Sequence, residues 1–381
     1  MKIEQARWTK KKGWEPRAPG GLGAGAQLVL LFGGTRLLKE RVELAEIKRA
    51  YPQAHVMGCS TAGEIYDTQV TDDSLVATAI HFEHTHVRGA SVPIANGDAS
   101  FQAGEELARA IPHHGLAHVF VLSEGNVVNG SALVRGIAKH LPDNITITGG
   151  LSGDGDRFQE TFVLWDGEPR QNSIAILGLY SARLKIGYAS LGGWDSFGPE
   201  RLITRARGNV LYELDGKSAL ELYKQYLGDE AKGLPATGLL FPLSLRTQTG
   251  EKGVVRTILA INEAEGSLTF AGDVPEGSYA RLMKANFDRL IDGAIGAART
   301  SRDIPLFGAR APELAILISC VGRKLILKQR IEEEVEGVRE VMGDSTVLTG
   351  FYSYGEISPF TPNAKCELHN QTMTITTFSE N

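Results

Sequence analysis

The chain has 381 residues, of which 42% are hydrophobic and 22% charged, and a formal net charge of −5 at pH 7. That balance belongs to a folded soluble protein and excludes a disordered or fibrous chain; the acidic sum argues against a general binder of nucleic acid or of an anionic membrane. The length suits two domains better than one core.

Residues 1–26 read as a lead-in, loose where glycine and proline crowd between Gly13 and Ala26. Gln27 to Gly34 is an apolar run closing on two glycines, the pattern of a strand covered on both faces. Leu38, Val42 and Ala45 follow at helical spacing, and Pro52 stops that helix before a strand at His55 to Met57. Ser74 to His86 reads as one longer strand with His84 and His86 on the same face. A helix over Phe101 to Ala110 comes next, then a strand from His118 to Gly125. Asn129 is the expected N-cap of a helix through Leu133, Ile137 and Leu141. The chain then enters a strand at Ile145 and the turn Gly149-Gly-Leu-Ser-Gly-Asp-Gly155.

From about residue 178 the texture changes to short strands and glycine turns, with helices expected from Ser218 to Leu227 and around Leu282, Leu290 and Ala294. A third strand, helix and strand follow: Glu313 to Gly322, the stripe Ile331, Val335, Val338 and Met342, and Ser345 to Gly350. The expected fold is therefore α/β: two mixed-sheet domains, 27–170 and 171–381, built from strand-helix-strand units with internal duplication and a ligand cleft between them.

The duplication is visible in residues. Gly58-Cys-Ser-Thr-Ala-Gly63-Glu64-Ile65 and Gly350-Phe-Tyr-Ser-Tyr-Gly355-Glu356-Ile357 share one spacing, and the two turns are expected to form opposite walls of a site. Cys366-Glu-Leu-His369-Asn370-Gln-Thr372 returns beside the second, so Tyr352, Tyr354 and Asn370 join the candidate ligand-binding set with Gly58, Gly63 and Gly355. Gly150, Ser152, Gly153 and Asp154 form a turn able to present N–H groups to an anion, without the Gly-Lys-Ser/Thr of a P-loop. Glu64 and Glu356 suit acid/base work, an ammonium ligand or bracing of the turns. Cys59, Ser60 and Thr61 lack a Gly-x-Ser-x-Gly elbow. Trp194 and Arg201 share a glycine-rich turn that could clamp a carboxylate.

The cysteines, Cys59, Cys320 and Cys366, cannot all pair, which favours a reducing compartment. No apolar run reaches the roughly 18 residues of a spanning helix, and no signal-type stretch follows Lys10 to Lys12. A cytoplasmic location is expected. Cys366 and His369 alone do not make a zinc site. A neutral histidine can hold haem, and His369 and His84 are the candidates for an axial ligand; no C-x-x-C-H is present for covalent attachment.

Taken in order, the two Gly-Glu-Ile turns, Gly149 to Asp154, Gly192 to Arg201, Gly208 to Gly216 and Leu368 to Thr372 resemble the FIST family of intracellular sensory proteins. The resemblance implies an N-terminal and a C-terminal FIST domain, a small-molecule ligand such as an amino acid, and an output through a histidine kinase or a cyclic-di-GMP enzyme. A bacterial branch of that family binds haem and senses nitric oxide, so haem b and nitric oxide are the expected pair, with a homodimer among the assemblies allowed. An amino-acid sensor without haem, and a hydrolase or transferase using Cys59 or Ser60, are the competing readings; a non-enzymatic sensor leads.

Overall fold

The computed structural model describes residues 1–246, 253–303, 310–360 and 364–380. Its helices are α1 (Thr35–Lys39), α2 (Leu44–Ala50), α3 (Ser100–Ala110), α4 (Gly130–Ala138), α5 (Ala219–Leu227), α6 (Phe287–Arg302), α7 (Val321–Leu327) and α8 (Ile331–Met342). The fold is the expected mixed α/β arrangement of strand-helix-strand units, and the duplication is threefold.

Each unit supplies a parallel pair of strands and an antiparallel returning strand to a six-stranded sheet. In the first unit the pair is Leu28–Gly34 with His55–Thr61 and the return is Ser74–His81. In the second it is Leu116–Ser123 with Thr146–Leu151, returning at Ser173–Tyr180. In the third it is Leu314–Cys320 with Val347–Ser353, returning at Met373–Glu380. Right-handed crossovers place the helices on one face of such pairs.

Register proves the equivalence. Gly58 lies opposite Leu31, Gly149 opposite Val121 and Gly350 opposite Leu317. A Cβ on these glycines would stand 2.1, 1.9 and 1.8 Å from the carbonyl oxygens of those same partners. Only glycine lets the two strands close at that level.

The units also exchange strands in a ring. Glu64–Tyr66 of the first pairs with Val347–Ser353 of the third, Gly355–Pro359 of the third with Thr146–Leu151 of the second, and Val163–Trp165 of the second with His55–Thr61 of the first. No unit has a complete sheet without its neighbours.

Strand alternation then sorts the apolar side chains. Leu28, Leu30 and Phe32 meet Phe120, Leu122, Leu314, Ile316 and Ile318 in one core between the three sheets. Val29 and Leu31 face α1 and α2; Val119, Val121 and Leu317 join the side chains of α3, α4, α6 and α8 on the outer faces. The central core leaves a void of about 10 Å³, too small for a ligand.

The described residues between 194 and 285 make a fourth, nine-stranded sheet of antiparallel pairings. It has its own core, with Leu220, Tyr223 and Leu227 of α5 against Ile203, Leu245 and Phe270.

Four expectations change in detail. The lead-in of residues 1–26 is part of the first sheet, where Lys2–Thr9 pairs antiparallel with Ser74–His81 and Gly13–Glu15 pairs with Lys2–Thr9 in turn. The helix over Leu38 to Ala45 divides into α1 and α2, because Arg41 and Glu43 take left-handed φ of 57° and 55°. The strand from Ser74 ends at His81 and a new one starts at His86, so His84 sits in the turn and shares no strand face with His86. Leu282 belongs to a strand, Tyr279–Ala285, and not to the helix that carries Leu290 and Ala294. Within the region of expected short strands and glycine turns, residues 247–252 lie outside the described residues.

Candidate functional site

The strand-exchange turns gather at the C-terminal ends of the parallel pairs. Ala62 N donates to Tyr352 O and Tyr352 N to Gly63 O, both at 2.8 Å; Gly153 N donates to Ser60 O at 2.9 Å, and Tyr354 N to Leu151 O at 3.3 Å. The Gly58–Gly63 and Gly350–Gly355 turns are thus zipped side by side. They are not opposite walls of an open site.

Inside this ring the carboxylates are saturated. Glu64 accepts from the Thr61 hydroxyl, from Ser74 N at 3.0 Å and from Ser74 Oγ at 2.8 Å. Glu356 repeats the set, with Ser353 Oγ at 2.6 Å, Thr372 N at 3.2 Å and Thr372 Oγ1 at 2.9 Å. Both are at most 1% exposed. Burial, opposed by these donors, pushes Glu64 up to about 7 and Glu356 up to about 8. Of the roles open to them from sequence, the geometry here is bracing.

The glycine-rich turn is likewise occupied. Ser152 N donates to Ser123 O and Gly153 N to Ser60 O. Asp154 accepts from the Tyr354 hydroxyl and from the N–H groups of Phe158, Gln159 and Glu160 at 2.9–3.1 Å. Gly150 packs against Ile318 and Phe351. The turn's Ser152 and Gly153 N–H groups are thus spent on backbone carbonyls, and the N–H groups around Asp154 on its own side chain.

Cys59 is fully buried in the central core, and burial followed by the nearby Glu64 charge pushes its thiol well up. Ser60 Oγ accepts from Phe162 N at 2.9 Å. Neither is arranged as an activated nucleophile.

Trp194 and Arg201 part company. The Trp194 indole turns inward and donates to Gln371 O at 3.0 Å, while Arg201 lies on the surface against Asp215 Oδ2 at 2.9 Å and Tyr226 Oη at 2.6 Å. His84 is exposed and 3.1 Å from Arg183, at the end of the sheets opposite Glu356. His369 lies in register with Glu356, is 2% exposed, and has Nε2 2.8 Å from Ser358 O. Burial holds its ring down to about 4, hence neutral.

What does converge is the seam between the three-sheet body and the nine-stranded sheet. Asn370 Nδ2 donates to Tyr354 O at 3.1 Å, and Asn370 Oδ1 accepts from Thr257 N at 3.3 Å. Gln371 Nε2 donates to Leu239 O at 2.8 Å. Gln371 itself has a left-handed φ of 64°, uncommon and strained for a residue other than glycine. Its Oε1 and the Thr257 hydroxyl are buried without a hydrogen-bond partner among the described residues. A buried unpaired acceptor costs about 1–3 kcal/mol, so such groups call for a partner.

Beside them, Arg256 is 5% exposed and donates to Asp273 O at 3.0 Å, Leu368 O at 2.9 Å and Ser131 Oγ at 3.3 Å. Among the described residues no carboxylate lies within ion-pair distance of it. Burial pulls it down to about 10. Its hydrogen bonds go to neutral oxygens, and the Glu367 and Asp273 carboxylates oppose the burial from beyond contact distance.

Trp194, Tyr354, Glu356 and Asn370 were legible from sequence; Gln371, Thr257, Arg256 and Leu239 were not. The signal available for Gln371 was its place within Asn370-Gln371-Thr372. Nothing local marks Thr257 and Arg256, which arrive from another sheet.

Comparison with known proteins follows this geometry. A model of the FIST N domain matches residues 27–217 and a model of the FIST C domain matches residues 219–359. The uncharacterized protein MJ1623 of Methanocaldococcus jannaschii is 23% identical over 330 residues, covering 78% of this chain and 61% of its own length. The chain therefore spans about three-fifths of that curated relative. Among solved structures, cyanuric acid hydrolase from A. caulinodans gives a TM-score of 0.37 at 9% identity, with 100% of this chain and 99% of that one covered. A second cyanuric acid hydrolase gives 0.32 at 7% identity, with the same coverage. The described residues hold no helix long and apolar enough to cross a membrane.

Proposed function

This chain belongs to the FIST family, and we propose that it is a small-ligand sensor for signal transduction whose ligand is read at the seam around Gln371. FIST domains suggest a signalling sensor at the level of the family. The observation that carries the seam is the pair of buried groups without a partner among the described residues, Gln371 Oε1 and Thr257 Oγ1, on opposite sides of a junction joined by polar bonds. An acceptor lacking a donor among the described residues and a buried guanidinium hydrogen-bonded to neutral acceptors suit a ligand with an N–H donor and an anionic oxygen. Amino acids and similar polar metabolites have both. A ligand joining the body to the fourth sheet would bind one seam geometry better than another, which is what a sensor requires. Reading out to a histidine kinase or a cyclic-di-GMP enzyme, from the cytoplasm, is part of this proposal.

The activity is binding and not turnover, a reading supported by the burial of Cys59 and the backbone contact of Ser60.

Haem and nitric oxide form the second reading, favoured by one observation. His369 is neutral, and with Nε2 on a backbone carbonyl its other nitrogen has the setting of many metal-bound imidazoles. At 2% exposure, with the Phe360 ring centred 5.4 Å away, it offers no approach to a macrocycle unless Cys366–His369 lifts off its neighbour. His84, though exposed, sits against Arg183. The polar ligand therefore fits the residues better.

Calorimetry with the free amino acids, against amides and amines lacking one charge, tests the first reading. Saturable binding that disappears in Arg256→Met supports it; no binding by any member of the panel rejects it. Titration with hemin tests the second: a Soret band that moves with nitric oxide and is lost in His369→Ala establishes haem, and no saturable band removes it.

A further inference from the structure

Three consecutive residues at the start of α7 touch three different parts of the molecule. Gly322 faces the seam: a Cβ there would lie 2.4 Å from Gln371 Nε2 and 2.5 Å from Gln371 Oε1. Arg323, fully buried, donates to Glu334 Oε2 of α8 at 2.7 and 3.0 Å, to Leu290 O of α6 at 2.6 Å and to Gly192 O at 3.2 Å. Lys324 donates to Ala62 O at 2.7 Å, in the exchange turn of the first unit. Glu334 is held further by Ser319 Oγ at 3.0 Å and Tyr352 Oη at 2.6 Å.

We propose that α7 is the relay through which the state of the seam reaches the outer helices α6 and α8, with Gly322 as its input and the Arg323–Glu334 pair as its output. This rests on the reading of Gln371 as the ligand-sensing residue. The amide of Gln371 cannot turn toward a ligand without changing its contact with Gly322, which has no side chain to absorb the movement. The next residue holds a buried ion pair, and such a pair has narrow geometric tolerance: displaced guanidinium leaves a buried carboxylate short of a partner, so α6 and α8 must follow or the pair must break. Between those two helices runs an open groove of about 380 Å³ lined by Ile295, Arg299, Arg302, Asp303, Glu340 and Val341. A shift of either helix changes its shape, which places the output on the face opposite the central core.

Amide hydrogen exchange on the whole chain tests the relay without a ligand. Gln371→Asn keeps a side chain that tolerates left-handed backbone and withdraws the amide from Gly322. The expected result is exchange at least about threefold faster in α7, α6 and α8, with α1 to α4 unchanged, since coupling follows contiguous contacts. Gly322→Ala should act on the same segments. In Gln371→Asn/Glu334→Gln the added change should stop at α7. Confinement to α7 in the single variants overturns the proposal, as does an equal change in α3 and α4, which would be general loss of stability. If amino acids bind wild-type protein but these profiles do not move, the relay fails and the sensing seam stands; if the profiles move and no panel member binds, the seam reading fails alone.

Discussion

Glu64 and Glu356 occupy the same position in two units of a threefold repeat, each held by a Ser or Thr three residues earlier and by the backbone and hydroxyl of a Ser or Thr that opens the returning strand. In the remaining unit the position falls to Val163, and Glu124 instead bonds Thr161 Oγ1 at 3.1 Å. The repeat keeps the brace where the turn closes on glycine.

Both carboxyls titrate above their ordinary value of 4.5, at about 7 and about 8, because burial disfavours the charge. A carboxyl raised in the folded state binds its proton more tightly there than in the unfolded chain. Its contribution is therefore complete below pH 4.5 and is lost as pH rises through 7 to 8. Stability should fall between pH 5 and pH 9 by an amount on the order of 2–4 kcal/mol per site. Urea titrations of Glu64→Gln and Glu356→Gln should each show a shallower fall than wild type; parallel curves would mean these groups are charged throughout.

Gly58→Ala, Gly149→Ala and Gly350→Ala should each destabilise by about 3 kcal/mol or more, because the methyl meets a carbonyl that is part of the strand pairing. Gly115→Ala is the control. There φ is 75° but nothing lies within 4 Å of the added Cβ, and a cost near 1 kcal/mol is expected from backbone strain alone. Comparable losses at all these positions would refute steric closure as the reason for the repeat.

Arg256→Ala should loosen the seam. It removes bonds to Leu368 O and Ser131 Oγ that join the two bodies, at a cost of roughly 2–4 kcal/mol. The separate core of the fourth sheet should then melt in its own step. A single unfolding transition by both calorimetry and near-UV dichroism would argue that the seam contributes little to cooperativity.

Tyr354→Phe should cost about 2 kcal/mol, since the phenol bonds the buried Asp154 carboxylate and accepts from Asp154 N at 3.1 Å. Stacking on Phe158, at 4.4 Å between ring centres, is retained. Guanidinium denaturation measures it, and an unchanged midpoint would show that the Asp154 turn is held by Phe158, Gln159 and Glu160 alone.

The strand-helix-strand units and their number are written locally. Apolar runs such as Leu28 to Phe32, the stripe Val335, Val338 and Met342, and caps such as Asn129 and Ser218 act through neighbours a few residues away. The paired Gly-Glu-Ile motifs announced the duplication. Tertiary structure alone decided that the Glu356 turn would pair with the second unit and the Glu64 turn with the third, because strand exchange depends on which sheet edge is open in space and not on spacing along the chain. It also decided that candidate ligand groups such as Glu64 and Asp154 would be consumed in bracing. The seam was beyond reach for the same reason: Gln371 and Thr257 stand 114 positions apart in sequence, and whether a buried amide finds a partner depends on every atom folded against it.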